Sequence, residues 1–209
     1  MSLFFKHTAP LRGIWKIEES SEMLLSLLKN REAYQTDLAV FRTEKRLQEW
    51  LAVRVLLQEL LDEPQRIAYH PNGAPYLVDS PYHISISHTK GYAAVLLQEE
   101  PCAGIDIEYR SDRIVKIRSR FMTPEEEANI NKEHATEHLL VYWCAKETLF
   151  KMLGRDEVDF CKHLHVCPFP YAQEGRFTVY ESRTPLKSAY TLNYLVTPDF
   201  VLTWNDSLL

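Results

Sequence analysis

The sequence lacks the features that mark a membrane, nucleic-acid or secreted disulfide-rich protein. None of its apolar runs is long enough to span a bilayer, so no membrane association is expected. Basic residues are not in excess. The 24 Lys and Arg stand against 29 Asp and Glu, a net charge of −5, which argues against nucleic-acid binding through a basic surface and leaves room only for a local anion pocket. Four cysteines in 209 residues, Cys102, Cys144, Cys161 and Cys167, form no Cys-x-x-Cys and are too sparse for a disulfide framework. Reduced thiols are expected. The opening Met1-Ser2-Leu3-Phe4-Phe5-Lys6 has no basic region leading into a long apolar segment and a small-residue cleavage site, so a cytoplasmic protein is the expectation. No flexible linker divides the chain, whose 45% hydrophobic and 25% charged content is that of a globular protein.

Periodicity supplies the elements. Residues 13–17 are a short strand and 21–29 a short amphipathic helix. Residues 43–61 are a long helix, capped by Thr43 and stopped before Pro64. Arg46, Trp50 and Arg54 are spaced four apart on it and share a side, where two arginines are either surface charges or a phosphate grip. A hairpin follows through Pro71-Asn72-Gly73. In Ile84-Ser85-Ile86-Ser87-His88-Thr89 the isoleucines take one face and the serines the other, with His88 at the strand end. Thr123-Pro124-Glu125-Glu126 opens a helix with a capping box, and a longer helix ends at Gly154. Residues 161–166, 176–180, 189–196 and 200–204 alternate as antiparallel strands.

Three stretches carry possible chemistry. In Gly104-Ile105-Asp106-Ile107-Glu108 a strand buries the isoleucines and projects Asp106 and Glu108 together, about 7 Å apart. Such a pair is either a solvated strand face or part of a divalent-cation site completed by a third carboxylate and a phosphate. Trp143, Glu147 and Lys151 share one helical face, a surface ion pair by default. His134-Ala135-Thr136-Glu137-His138 matches an inverted zinc-protease pattern, a different enzyme class. In Cys161-x-His163-x-His165-x-Cys167 one extended strand would spread four ligands over roughly 20 Å, whereas zinc needs its donors within about 2.0–2.3 Å of one point.

An internal echo bears on architecture. Phe41-Arg42-Thr43 returns as Phe121-Met122-Thr123, and Trp50-Leu51-Ala52 with Leu56 returns as Trp143-Cys144-Ala145 with Leu149, given an insertion near 129–138. The expected fold is therefore α+β, a pseudo-dimer of two similar halves, 1–100 and 101–209, each a helix packed on a small antiparallel sheet, with a cleft between them.

In order, Ser87-His88, Gly104-Ile105-Asp106-Ile107-Glu108 and Trp143-x-x-Lys146-Glu147-x-x-x-Lys151 resemble the 4'-phosphopantetheinyl transferases, in particular their two-half, surfactin-synthetase-activating type that serves nonribosomal peptide and polyketide synthases. The resemblance extends to Arg46, Arg54, Asn72-Gly73-x-Pro75 and Phe121-Met122-Thr123-x-x-Glu126, roughly half the chain. It implies transfer of the phosphopantetheine arm of coenzyme A to a serine of an apo acyl or peptidyl carrier protein, releasing adenosine 3',5'-bisphosphate. By the same resemblance Asp106, Glu108 and Glu147 hold Mg²⁺ or Mn²⁺ on the pyrophosphate. Glu147 is also the general base, and Lys151 steadies the leaving phosphate. Arg46, Ser87 and His88 contact the 3'-phosphate, and Lys146 adds a phosphate contact. Where the family often has a basic residue before the proline of its Gly-x-Pro turn, this chain has Ala74. A monomer is expected, docking its carrier through apolar contacts because both partners are acidic.

Overall fold

A computed structural model describes residues 2–154 and 157–206; Met1 of the opening segment lies outside them. The chain starts with a hairpin, β1 (Leu3–Thr8) and β2 (Leu11–Lys16), followed by α1 (Ser21–Leu27), a single turn α2 (Gln35–Leu38) and the long α3 (Glu44–Leu61). Thr43 caps α3 as its pattern requires, its hydroxyl accepting from the Arg46 N–H at 3.4 Å. The hairpin β3 (Ile67–Tyr69) and β4 (Pro75–Leu77) leads into β5 (His83–Thr89) and β6 (Tyr92–Gln98). The second stretch runs through β7 (Ile105–Tyr109), α4 (Arg113–Ile117), α5 (Pro124–Glu127), α6 (Ala135–Leu153), β8 (Leu164–Val166), β9 (Glu174–Glu181), β10 (Ala189–Val196) and β11 (Phe200–Asn205).

Two antiparallel sheets organise these elements, one ordered β1-β2-β6-β5 and the other β7-β11-β10-β9-β8. The α+β expectation holds at that level. Helix α3 buries Leu51, Leu56 and Leu57 against Trp15, Ala93 and Val95 of the first sheet. Helix α6 buries Val141, Cys144, Ala145 and Leu149 against Val179, Leu192 and Val201 of the second. A third cluster lies between the sheets, where Ile14, Ala94 and Leu96 meet Ile105, Ile107, Phe200 and Leu202.

Several boundaries differ from the sequence reading. The capping box of Thr123 and Glu126 forms, but its helix stops after one turn, and α6 starts afresh at Ala135. Strand β1 and helix α4 carry no clear periodicity in the sequence. Cys161 to His163 are a turn, leaving only Leu164–Val166 in the strand.

Gly104, just before β7, is required by packing. A Cβ there would stand 2.8 Å from the Thr148 carbonyl and 2.5 Å from Met152 Cγ, so the bare backbone lets α6 lie directly on the start of β7. Gly104→Ala is expected to destabilise the fold by about 1–3 kcal/mol, measured by denaturant unfolding, because α6 must retreat.

Candidate active site

Strand β7 is the edge of its sheet and pairs with β11 on one side only. On the other side the N–H groups of Ile105, Ile107 and Tyr109 point at β5, where the hydroxyls of Ser85, Ser87 and Thr89 accept them at 3.0, 3.3 and 2.9 Å. Alternation in β5 puts those three hydroxyls in one row, while Ile84 and Ile86 turn towards the first core. The two sheets are thus joined by side-chain oxygens. Ser87 also donates its proton to Asp106 Oδ1 at 2.8 Å, and Thr89 Oγ1 lies 3.5 Å from Glu108 Oε2.

Helix α6 brings the remaining groups. Lys151 Nζ donates to Asp106 Oδ1 at 2.7 Å and to the Ile105 carbonyl at 2.9 Å, and the Trp143 indole donates to Glu108 Oε1 at 2.9 Å. Burial, reinforced by the charges of Asp106 and Glu108 and opposed by Lys151, pushes the Glu147 carboxyl up to about 7. The Glu108 carboxyl is raised too, first by burial and then by Asp106. Far from a solvated face, Asp106 is 4% exposed, and its Oδ2 is buried without a partner.

These groups fit a hard divalent cation. Three carboxylates share one region with one lysine, the donors are all oxygen, and the free Asp106 Oδ2 wants a positive partner. In the present arrangement Lys151 is the cation bonded to Asp106, and no three His, Cys, Asp or Glu side chains are gathered as a metal cage among the described residues.

Lys151 also lines a cleft of about 700 Å³ between the β3–β4 hairpin, β5 and the end of α6. Gly73, Pro75 and Ile86 are shared with a neighbouring cleft of about 560 Å³ that holds Arg42, Arg46 and His88. Across the base of the larger cleft Asn72 Nδ2 donates to the Gly154 carbonyl at 2.9 Å, tying the hairpin to the helix end. His88 Nδ1 lies 3.6 Å from Glu49 Oε2, which Arg46 Nη1 contacts at 3.1 Å. Burial lowers the His88 pKa; Glu49 opposes that, while Arg46 and Lys151 add to it. Arg54 is buried and stacks on Trp50, its guanidinium carbon 3.2 Å from the ring centre.

Two residues expected to contact phosphate have other partners in this structure. The Lys146 side chain has no exposed surface, and its three protons go to Glu126 Oε2 at 2.8 Å, the Phe160 carbonyl at 3.0 Å and the Phe121 carbonyl at 2.5 Å. None is left for a phosphate. Glu126 in turn accepts from the Thr123 and Val166 N–H groups, so this lysine locks α6 to α5 and β8. The Ser87 hydroxyl is likewise committed, to Asp106 and Ile107. Spacing could not reveal this, because β5 and β7 meet only in the folded chain.

The zinc patterns also dissolve. His138 is buried with Nδ1 accepting from the Asn131 N–H at 3.0 Å, burial lowering it to about 4; Glu137 pairs with Arg110, and His134 stacks on Tyr171. In the other pattern His163 Nδ1 accepts from the Asp159 N–H and His165 Nε2 lies 3.0 Å from the Lys162 carbonyl.

Against known proteins, residues 102–204 match the family described as the 4'-phosphopantetheinyl transferase superfamily. A 4'-phosphopantetheinyl transferase of Bacillus subtilis is 30% identical over 87 residues, 40% of this chain and 38% of that protein. The match therefore spans well under half of the relative's length. The family segment contains β7, α6 and the rest of the second sheet, whereas Arg46, Ser87 and His88 lie before it.

The raised Glu147 carboxyl has a consequence for stability. Its folded pKa of about 7 exceeds the ordinary 4.5, so between those values the folded state holds the extra proton and stability falls as pH rises. In metal-free buffer at pH 8, Glu147→Gln is expected to raise unfolding free energy by about 2 kcal/mol, the carboxyl being partly exposed. At pH 4 the gain should vanish.

Proposed function

Residues 102–204 belong to the 4'-phosphopantetheinyl transferase superfamily, and from that premise we propose that the chain transfers the 4'-phosphopantetheine of coenzyme A to a serine of an apo acyl or peptidyl carrier protein. The observation that carries the reading is the contact of Lys151, which lines the cleft, with Asp106, one of whose oxygens is unpaired and whose charge reaches Glu108 and Glu147. In this reading the halves 1–100 and 101–209 are a pseudo-dimer of related units, the first contributing nucleotide contacts and the second the chemistry. The helix of each half on its own sheet supports it.

Coenzyme A would lie along the two joined clefts, its 3'-phosphate towards Arg46 and His88. Asp106, Glu108 and Glu147 would hold Mg²⁺ or Mn²⁺, which when bound neutralises charge on the pyrophosphate. Glu147 takes the proton of the carrier serine as that oxygen bonds to the phosphorus of the pantetheine phosphate. The bond from that phosphorus to the bridging oxygen breaks, and adenosine 3',5'-bisphosphate leaves with the electron pair. Lys151, on the cleft wall, stabilises that departing charge. Trp143 keeps Glu108 aimed into the site.

The carrier need not dock by apolar contact alone. Arg113, Lys116, Arg118 and Arg120 are all exposed along α4 and the turn after it, Arg118 pairing with Glu127 at 3.4 Å, a largely basic strip on a chain of net charge −5. Such a strip would steer an acidic partner towards β7. A second reading keeps coenzyme A binding without transfer. Ala74, where the family often has a base, favours it through the contact it omits.

Intact-mass measurement of an apo carrier protein incubated with coenzyme A and Mg²⁺ separates the two. The expected outcome is a phosphopantetheine mass increment, lost at least 100-fold in a folded Glu147→Gln variant. Coenzyme A binding with no increment on a panel of carriers would favour the second reading, and an unimpaired variant would remove Glu147 from its role.

A further inference from the structure

We propose that Ser87 is a positioning residue that fixes the Asp106 carboxylate with one oxygen open to the cation, an inference that rests on the metal role given to Asp106 above. A hydroxyl has one proton, and its direction is usually free. Here it is not. Ser87 is buried at 7% exposure, and its oxygen already accepts the Ile107 N–H at 3.3 Å, which leaves the proton directed at Asp106 Oδ1, 2.8 Å away. Lys151 donates to the same Oδ1 at 2.7 Å. Two donors on one oxygen pin the carboxylate and leave Oδ2, buried and unpartnered, as its one open acceptor.

The fold supplies its own control in Ser85. Two residues earlier in the same row, Ser85 accepts the Ile105 N–H at 3.0 Å, as Ser87 accepts that of Ile107, and has no carboxylate partner. Removing either hydroxyl leaves one strand N–H unsatisfied, so both losses weaken the seam between the sheets. Only the loss of Ser87 also removes one of the two donors that pin Asp106, leaving Lys151 alone to hold it. Groups that orient a ligand without touching the ion commonly change metal affinity 10- to 100-fold when removed.

The test is Mn²⁺ titration of the full chain, alongside coenzyme A titration in EDTA and thermal unfolding, for wild type, Ser87→Ala, Ser85→Ala, Ser87→Thr and Asp106→Asn. Ser87→Ala should weaken Mn²⁺ at least 10-fold and leave coenzyme A binding in EDTA unchanged. Ser85→Ala should lower the melting temperature comparably with Mn²⁺ affinity intact, and Ser87→Thr, which keeps the hydroxyl, should restore affinity. Equal Mn²⁺ losses in the two alanine variants would overturn the proposal in favour of a merely structural seam. A loss of coenzyme A affinity in EDTA with Mn²⁺ unchanged would overturn it in favour of a phosphate contact. Wild type and Asp106→Asn binding Mn²⁺ alike would overturn the metal reading itself, and the Ser87 role with it; Mn²⁺ binding lost in Asp106→Asn but unchanged in Ser87→Ala would overturn the Ser87 role alone.

Discussion

The structure depends on how β7 satisfies the backbone N–H groups along its open edge. Three point away from its one strand neighbour among the described residues, and the two buried ones, of Ile105 and Ile107, would each cost on the order of 1–3 kcal/mol without an acceptor. Carbonyls of β5 could have taken them, but that would have merged both sheets into one. Hydroxyls take them instead, which holds the strands a side chain apart. The seam is closed, the sheets remain separate, and a cleft opens beside β5 at the same junction.

Once that seam is set, the electrostatics follow. Asp106 and Glu108 are drawn under α6 by the packing of Gly104 against Thr148 and Met152, and Glu147 and Lys151 are laid over them from above. The result is a partly buried set of carboxylates, and burial first and the neighbouring Asp106 charge second displace the Glu147 and Glu108 carboxyls upward. Proteins do not keep such a set for stability, because unpaired buried charge is unfavourable. Such perturbed groups cluster at functional sites, and under the proposed reading the divalent cation is the positive partner.

Much of this was legible in the amino-acid sequence and some was not. The alternation of Ile105 and Ile107 with Asp106 and Glu108, the Thr123–Glu126 capping box and the helical face of Trp143, Glu147 and Lys151 are local patterns, and local physics realises them. The protons of Lys146 and Ser87, expected on phosphate, go to other partners, and for one reason. Their partners, Glu126 and Asp106, are 20 and 19 residues away, and nothing in the spacing says which neighbour a buried donor will meet. The one-turn α5 failed differently, because a correct start signal does not say how long a helix lasts.

Helix α6 manages two separate charge systems on one cylinder. Lys146 faces inward to Glu126, and its neighbour Glu147 lies within reach of the charges of Asp106 and Lys151, a rotation of about 100° between them. The helix therefore works as a commutator whose setting is its rotational phase. A single residue inserted ahead of Trp143 would turn every contact by that angle, carrying the ammonium of Lys146 out of its carbonyl cage and the carboxyl of Glu147 away from Asp106. The angular register of α6 relative to Gly104 is what these contacts hold fixed.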